Sequence, residues 1–260
     1  MDNVNKTLYI PLYGKALVSK KDIILRDEKA EEIWAAEGFP LKGKSCSKWL
    51  AYYMGMRSAV FDRWLEETME RMPDAAVLHI GCGMDSRILR VGERDHNWYD
   101  VDFPEVIAQR RRYITETERY RMIPGDLRET EWLDGISGDR AIVVLEGISM
   151  YITPEQLKMA FENLYARFSC VSVLMDCYTA FAAKASKYKN PINDVGVTEV
   201  YGLDDPNALP GFLREHEMTP DALIGQLQGM EKGIFRSLYA GGMAKKMYRL
   251  YEFQGGHDDV

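Results

Sequence analysis

Two glycines in the segment 77–102 (VLHIGCGMDSRILRVGERDHNWYDVD) have the spacing of a cofactor-binding turn. Gly81 and Gly83 follow an apolar run that ends at Ile80, and Ser86 stands where the common G-x-G-x-x-G pattern has its third glycine. Glycine is needed where a chain leaves a strand with positive φ and its backbone approaches a ligand closely. The turn alone is compatible with nicotinamide, flavin or S-adenosylmethionine as the ligand, and also with an ordinary strand-to-helix turn.

Four acidic residues, Asp102, Asp126, Glu146 and Asp176, lie in or directly after the apolar runs that follow this turn. In an open parallel sheet, the carboxyl ends of the strands line the ligand crevice. A carboxylate about 20 residues beyond the glycine turn binds the hydroxyls of a ribose, and Asp100 competes with Asp102 for this position. Any one of these acids alone is more typical of a helix cap or a surface charge, but together with the glycine turn they predict one shared site.

The segments around these acids alternate between strand and helix patterns, which predicts an α/β fold with a doubly wound, mostly parallel sheet. Apolar runs predict five strands, at 75–80, at 98–101, within YRMIPGDL, within RAIVVLEGISMYIT and at CVSVLMDCY. Helices are predicted from about Ser86, over FPEVIAQRRRYITETERY, and from Thr153 to about Phe168, where threonine can cap the helix and the next residue, proline, suits its first turn.

The remaining segments flank this core within one domain. The predicted parts of that domain (1–260) are an N-terminal helical cap (1–74), a cofactor-binding core (75–178), a lid insertion (179–211) and the C-terminal part of the sheet (212–260). The cap has amphipathic helical patterns with dense aromatic residues, whereas the insertion combines small residues, lysines and turn formers. A segment around 212–217, a helix from about 220 to 229 and a final strand, KKMYRLYEFQ, complete the prediction.

The composition restricts the class of protein and its partners. Hydrophobic residues make up 46% and charged residues 28% of the 260 residues, a balance typical of a soluble globular protein. No apolar run approaches the roughly 20 residues of a membrane helix, and the N-terminus lacks a secretory pattern, so we expect a cytoplasmic location. The net charge of −7 argues against a nucleic-acid partner. The four cysteines form no C-x-x-C motif and the four histidines are isolated, so no metal site is expected.

Several motifs together resemble those of a known family. The stretches are TLYIPLYGKA, RSAVFDRWL, HIGCGMDSR, WYDVDFPEVI, PGDLRE and LEGISMYITPEQ, and they span roughly residues 7–160. In this order they resemble the leucine carboxyl methyltransferase family, which includes bacterial O-methyltransferases of the tetracenomycin-polyketide type. The resemblance implies a class I methyltransferase (Rossmann-like) fold with a seven-stranded sheet whose last strand is antiparallel. It also implies S-adenosylmethionine as the cofactor and methyl transfer to oxygen, often a carboxylate oxygen.

The same resemblance assigns roles to individual residues of the core. Gly81 would lie against the methionine portion of the cofactor, and Asp102 would bind the ribose hydroxyls. The carboxylate of Asp126 would accept from the exocyclic amine of adenine, while the amide of Leu127 would meet a ring nitrogen. Glu146 would lie near the amino group of the cofactor.

Two basic residues in the N-terminal part match family positions near the carboxylate of the cofactor. Arg57 could bind that carboxylate through two parallel hydrogen bonds, and Lys15 is a second cation, with a plain surface lysine as the alternative. Asp85 and Arg87 also fit the motif, although capping and packing of the next helix explain them equally well. His79 stands at a strand position that is usually apolar, so we expect a buried neutral imidazole.

The expected function is that of an S-adenosylmethionine-dependent O-methyltransferase for a small-molecule acceptor such as a polyketide-like acid. The alternatives are an NAD-dependent oxidoreductase, a nucleotide-binding protein without catalysis, and a protein C-terminal carboxyl methyltransferase. A carboxylate acceptor needs no base, because it is ionised at neutral pH. For a hydroxyl acceptor, Tyr178, Lys184, Lys187 and Tyr188 are the nearest candidates to bind or deprotonate it, unless they are solvated lid residues.

Overall fold

The computed structural model describes residues 6–189, 196–197 and 199–257, with the side chains of 187–189 outside the described part. At its centre is one seven-stranded sheet. The strands are β1 (Ala76–Ile80), β2 (Trp98–Asp102), β3 (Tyr120–Pro124), β4 (Arg140–Leu145), β5 (Cys170–Tyr178), β6 (Phe212–His216) and β7 (Tyr248–Gly255).

The sheet has the strand order β3-β2-β1-β4-β5-β7-β6. Strands β1 to β5 pair in parallel, and β7 runs antiparallel to both of its neighbours, β5 and β6. The predicted doubly wound, mostly parallel sheet with an antiparallel last strand is therefore confirmed. The strand order reverses between β1 and β4, and this switch point is where open α/β sheets form a ligand crevice.

Helices cover both faces of the sheet. They are α1 (Tyr9–Lys20), α2 (Glu28–Glu37), α3 (Lys48–Arg71), α4 (Arg87–Val91), α5 (Pro104–Arg110), α6 (Pro154–Arg167), α7 (Ala180–Lys189), α8 (Asp221–Ile224), α9 (Met230–Phe235) and α10 (Gly242–Lys245). A π-helical turn, Arg236–Ala240, continues α9. Within the described residues, no helix is both long and apolar enough to cross a membrane.

Successive side chains along each strand point to opposite faces of the sheet, so the core is divided between these two layers of helices. Val77 and Ile142 belong to the cluster that includes Phe61 of α3, whereas Leu78 and Val143 belong to the cluster with α6. Because successive strand side chains point to opposite faces, an unbroken apolar run indicates burial on both sides. The sheet therefore holds the ends of its strands in fixed positions.

The N-terminal helices pack closely against each other above this sheet. A Cβ atom at Gly14 of α1 would lie 2.6 Å from Met54 Cβ of α3, and one at Gly55 would lie 2.7 Å from Val18 Cγ2. Glycine at both positions thus lets α1 and α3 approach each other. This contact brings Lys15 of α1 and Arg57 of α3 to the same end of the sheet.

Local signals predict the start of α6 well and the C-terminal helices less well. Thr153 caps α6 in a reciprocal capping box, in which its hydroxyl accepts from Gln156 N and the Gln156 side chain accepts from Thr153 N. The helix expected from about 220 to 229 is wrong in its extent, because α8 ends at Ile224. Gly225 follows at once, and Gly229 adopts φ +50°, so helix resumes only with α9.

Candidate active site

A cavity of about 540 Å³ opens at the carboxyl ends of β1 to β5. Its volume lies within the range of roughly 300–1,000 Å³ that is typical of small-molecule sites. Every residue that the sequence assigns to cofactor binding lines it, namely Lys15, Arg57, Gly81, Asp102, Asp126, Leu127 and Glu146. The structure thus brings together side chains that are up to 131 positions apart in the sequence, from Lys15 to Glu146.

The glycine turn forms the floor of the cavity next to β1 and β2. Gly81 has φ +67°, and a Cβ atom there would lie 2.3 Å from Ile148 Cγ2. The Gly81 amide donates to the Val101 carbonyl over 2.7 Å, which joins the ends of the two strands. Gly83 also has positive φ, +52°. The turn therefore needs glycine for its conformation and, at Gly81, for the close approach of Ile148.

The carboxylate of Asp102 lies beside this turn and lines the cavity. Its two oxygens accept from the backbone amides of Gly83, over 2.7 Å, and Phe103, over 2.8 Å. Burial raises the pKa of Asp102 to about 6, although both amides favour the ionised form. Each oxygen can accept further hydrogen bonds from the cavity side, which is the arrangement that a ribose diol requires.

Asp100, the competing acid, lies inside the protein and does not line the cavity. It accepts from Tyr120 Oη over 2.6 Å and from Trp98 Nε1 over 2.9 Å, and it forms an ion pair with Arg110. Burial opposes its ionisation, but Arg110 and His79 lower its pKa to about 2. Its partners are protein groups, so the geometry favours Asp102 for contact with a ligand.

Asp126 and Leu127 form the side of the cavity after β3. Arg128 Nε lies 2.9 Å from both carboxylate oxygens of Asp126, and this partner lowers the pKa of Asp126 against the effect of burial. Leu127 is buried, and Trp132 closes the turn by donating from its indole to the Asp126 carbonyl over 2.9 Å. Any group that binds the Asp126 carboxylate would share it with Arg128.

Glu146 is the centre of a buried ion-pair network at the end of β4. Its carboxylate accepts from Arg57 Nε over 2.9 Å and from Ser58 Oγ over 3.0 Å, and it also pairs with Arg87. Burial opposes ionisation, yet Arg87 and Arg57 lower the pKa of Glu146 to about 2. The carboxylate is therefore negative at neutral pH and could attract a cationic amino group.

Asp176 lies beneath the cavity and connects Arg57 to β7. Its carboxylate accepts from Arg57 Nη1 over 3.1 Å, from the Gly147 amide over 2.6 Å and from Tyr248 Oη over 2.7 Å. Burial raises its pKa, an effect that Arg57 opposes. Asp176 is thus close to the other strand-end acids, as the sequence suggested, but it acts by holding Arg57 and Tyr248 in place.

Lys15 belongs to the same network, which excludes the alternative of a surface lysine. Only 2% of Lys15 is exposed, and its ammonium lies 3.2 Å from the Asp85 carboxylate. Asp85 also contacts Arg90 Nη1 at 2.8 Å and Arg87 Nη2 at 3.4 Å. Arg90, Lys15 and Arg87 lower the pKa of Asp85 well below its usual range, although burial acts in the opposite direction. His79 is buried as expected, and burial lowers its pKa.

The remaining wall of the cavity is apolar and aromatic. Its side chains include Leu50, Tyr53, Met54, Tyr151, Tyr178, Leu238, Tyr239, Met247 and Tyr248, and we call this half of the cavity the acceptor half. No sequence motif predicted that residues 238–248 contribute to the cavity, because this segment is distinguished only by its apolar and aromatic composition. Among the described residues of the expected lid insertion 179–211, none lines the cavity.

The four residues proposed to bind or deprotonate a hydroxyl acceptor do not all lie at the cavity. Tyr178, which precedes it, lines the cavity, whereas Lys184 is exposed and lies outside the cavity. The side chains of Lys187 and Tyr188 lie outside the described part. The described part of this segment contacts the sheet at Leu203, whose amide donates to the Tyr178 carbonyl over 2.8 Å, and Leu209 is buried.

The strand order, the antiparallel β7, the glycine turn and the acids at the strand ends define a class I S-adenosylmethionine-dependent methyltransferase. The sequence profile of the leucine carboxyl methyltransferases matches residues 4–165, more than half of the chain, so the chain belongs to the leucine carboxyl methyltransferase family.

Two curated relatives agree with this assignment. The chain is 27% identical over 243 residues to the tetracenomycin polyketide synthesis O-methyltransferase TcmP of Streptomyces glaucescens, covering 90% of each chain. It is 26% identical over 235 residues to the S-adenosyl-L-methionine-dependent methyltransferase dpfgK of Gibberella zeae, covering 80% of this chain and 78% of the relative. The chain is therefore an S-adenosylmethionine-dependent O-methyltransferase, and the expectations for family, fold, enzyme class and cofactor are confirmed.

Solved structures similar to this chain include two methyltransferases with very different sequences. The magnesium protoporphyrin IX methyltransferase of Synechocystis PCC 6803 with bound S-adenosylhomocysteine has a TM-score of 0.48 and 11% identity, covering 88% of this chain and 93% of its own. Human N-acetylserotonin methyltransferase with S-adenosylmethionine has a TM-score of 0.47 and 10% identity, covering 86% of this chain and 62% of its own.

Proposed function

We propose that this enzyme methylates a carboxylate oxygen of a small apolar acid. The main observation that supports this proposal is that, in the described part of the chain, the acceptor half offers tyrosine hydroxyls and no free general base. Burial raises the pKa of Tyr53 and Tyr151, so their hydroxyls stay protonated and can donate hydrogen bonds, whereas the hydroxyl of Tyr248 already donates to Asp176. A carboxylate is ionised at neutral pH and needs only positioning, whereas a phenol or alcohol must lose a proton.

The side chains of Lys15, Arg57 and Glu146 belong to the other half of the cavity, which we call the charged half. They fit the two ends of the cofactor's amino-acid portion. We assign Glu146 to the cofactor's ammonium group, and Arg57 and Lys15 to its carboxylate. Arg57 is already held by Glu146 and Asp176, so its guanidinium is fixed in orientation before the cofactor binds. Gly81, whose position has no room for a Cβ atom, allows the backbone to lie against the methionine chain.

The nucleoside portion would lie along the ends of β2 and β3. We assign Asp102 to the ribose hydroxyls, because its carboxylate faces the cavity and is oriented by two backbone amides. Asp126 and Leu127 would meet the edge of the adenine ring, where the carboxylate accepts from the exocyclic amine and the backbone amide meets a ring nitrogen. These residues suit a nucleoside because hydroxyl and amine donors are matched by carboxylate acceptors.

When bound, S-adenosylmethionine supplies a methyl group that a sulfonium sulfur has already activated. The new bond joins an acceptor carboxylate oxygen to the methyl carbon, the carbon–sulfur bond breaks with its electron pair on sulfur, and no proton is transferred. The residues of the chain then have two tasks, which are to align the acceptor and to exclude water. Tyrosine hydroxyls suit the first task, because a neutral donor orients a carboxylate while leaving it more nucleophilic than a salt bridge would.

The test is to incubate the enzyme and labelled S-adenosylmethionine with matched apolar carboxylic acids and phenols, followed by mild alkali. A methyl ester hydrolyses and releases methanol, whereas an aryl ether survives. We expect alkali-labile product, formed at a rate that stays nearly flat from about pH 7 to pH 9, since a carboxylate is fully ionised throughout. Exclusive formation of alkali-stable product would overturn the carboxylate acceptor. A leucine-terminated peptide in a parallel reaction distinguishes a protein C-terminus from a small acid.

A further inference from the structure

The outer wall of the acceptor half is a single layer of short helices before β7. We call α9, the π-helical turn and α10, residues 230–245, the cover segment. It contributes Leu238, Tyr239 and Ala244 to the cavity lining. Other side chains of the cover segment are apolar and exposed to solvent, with Met230 87% and Met243 67% exposed. The cover segment is therefore a thin wall that separates the cavity from solvent.

Two aromatic residues attach this wall to the rest of the protein. Phe235 is completely buried, and its ring stacks on that of Tyr239 with centroids 5.2 Å apart and planes at 25°. Tyr239 in turn stacks on Tyr53 of α3, with centroids 4.8 Å apart and planes at 22°. Three nearly parallel rings thus run from the cover segment into the cavity, and two of them, Tyr239 and Tyr53, line it.

This stack continues into edge-to-face contacts beside the strands. Tyr53 meets Tyr248 at 6.1 Å and 66°, and Tyr248 meets Tyr178 at 4.8 Å and 68°. Tyr53 also lies one helical turn before Arg57 on α3, since residues four apart share a helix face. Tyr239 is therefore joined through Tyr53 to the aromatic side chains that line the cavity beside Arg57.

We propose that Tyr239 is a specificity-determining residue that selects flat, ring-bearing acids over saturated acids of similar volume. This inference rests on the proposed function for the carboxylate, while the ring preference concerns the body of the acceptor. Aromatic rings prefer offset-stacked or edge-to-face neighbours, and the acceptor half offers both through Tyr239, Tyr53 and Tyr248. A puckered, saturated ring fills the same space without these contacts. Tyr239 also lies outside the ion-pair network, so replacing it leaves the charges of the charged half of the cavity unchanged.

The test measures binding to the enzyme–S-adenosylhomocysteine complex by calorimetry, without chemistry. The probes are 2-naphthoate and its fully saturated counterpart, decahydronaphthalene-2-carboxylate. We expect the wild-type enzyme to bind naphthoate more tightly, Tyr239→Phe to retain the preference, and Tyr239→Ala to reduce it by about three- to tenfold, the range for loss of one aromatic contact. Tyr113→Ala, which truncates another half-buried tyrosine that does not line the cavity, should keep the wild-type ratio.

The proposal is overturned if the wild-type complex binds neither probe, if it binds both equally, or if Tyr239→Ala keeps the wild-type ratio. Should Tyr239→Ala fail to fold or to bind S-adenosylhomocysteine, Tyr239→Leu keeps apolar bulk without the ring and is held to the same criterion. Turnover of 2-naphthoate compared with 2-naphthalenemethanol then tests the head group separately. Formation of an ether alone would refute the carboxylate acceptor while the binding ratio still reports on Tyr239.

Discussion

At the scale of single residues, the proposed contact of Asp102 with the ribose should make cofactor affinity depend on pH. Its carboxyl has a pKa of about 6 because burial disfavours the charge, and ribose hydroxyls donate more strongly to the ionised form. Affinity should therefore be full above pH 7 and should fall as pH drops through 6, by about tenfold at pH 5. Titration of S-adenosylhomocysteine by calorimetry from pH 5 to pH 8 measures this dependence. Asp102→Asn should bind more weakly with no such slope, and a slope that persists in this variant would assign the titration to another group.

Arg57 has a structural role in addition to its proposed contact with the cofactor. Arg57→Ala would leave the carboxylates of Glu146 and Asp176 buried with fewer partners. Removing one member of a buried ion pair costs about 3–5 kcal/mol, so we expect a loss of this size in the free energy of unfolding. Urea denaturation measures it. Arg63→Ala on the same helix is the matched control, because Arg63 pairs with Glu67 at the surface and should cost at most about 0.5 kcal/mol. Equal losses in the two variants would contradict the role of the network.

The residues that sequence could predict are those whose neighbours in the chain form a motif. Asp102 and Glu146 follow strands, and Arg57 lies within a matched stretch, so position alone suggested the cavity. The contact between Asp176 and Tyr248 could not be predicted in this way. It depends on the pairing of β5 with β7, in which Tyr248 lies opposite Tyr178 and its hydroxyl donates over 2.7 Å to Asp176, 72 positions away in the sequence. Sequence periodicity predicts each strand but does not predict which strands become neighbours.

At the scale of secondary-structure elements, glycine in the turn after β1 allows Ile148 of another segment to approach the backbone closely. Gly81→Ala would force an alanine to φ +67° and place its Cβ 2.3 Å from Ile148. Gly38, which ends α2 with φ +59°, isolates the conformational cost, because a Cβ atom there would meet none of the described atoms within 4 Å. We expect Gly38→Ala to lower the free energy of unfolding by about 1–2 kcal/mol, and Gly81→Ala to lower it further and to abolish S-adenosylhomocysteine binding. Equal stability of the two variants, with binding intact, would contradict the contact with Ile148.

The strands and α6 agree with their sequence signals more closely than the C-terminal helices do. Unbroken apolar runs and a reciprocal cap at Thr153 are local signals, which the fold reinforces. The cover segment contains Gly233, Gly241 and Gly242 and has exposed apolar residues on its outer face, so its sequence lacks a clear helical stripe. Contacts of Phe235 and Tyr239 with the core stabilise these helices, and such tertiary contacts are absent from local sequence.

At the scale of the whole molecule, buried charge pairs occur both at the cavity and beside the antiparallel strands, and α3 contacts both groups through Arg57 and Arg71. One group surrounds Glu146 and Asp85 at the cavity, and another joins Glu252 of β7 to His216 of β6, with His216 Nε2 2.6 Å from a Glu252 oxygen. Alternation of strands and helices was sufficient to predict the α/β class. The number of buried ionic groups was not predictable, because each charge looks like a surface residue until its partner is known.

These buried carboxylates predict how the stability of the protein changes in acid. Asp100, Glu146 and Glu252 each have a pKa of about 2 in the folded protein, because cations and hydrogen-bond donors outweigh the effect of burial. Their pKa values in an unfolded chain are about 4, so the unfolded chain binds protons first as pH falls. Their contribution is therefore fully present above about pH 5 and is lost as pH falls toward 2, on the order of 2–3 kcal/mol for each carboxyl.

Asp102 affects the free energy of unfolding in the opposite direction, so the stability does not simply rise with pH. Its folded pKa of about 6 lies above its unfolded value, so its ionisation lowers stability as pH rises from about 4 to 6. The free energy of unfolding of the protein without cofactor should thus fall steeply below pH 4, and it should decrease by about 1 kcal/mol from pH 5 to pH 7 as Asp102 ionises. Urea denaturation at pH 3, 4, 5 and 7 measures this curve. Glu252→Gln, which removes one lowered carboxyl far from the cavity, should lose stability at pH 7 and show a shallower decline in acid. A decline as steep as that of the wild type would mean that other groups control the acid stability.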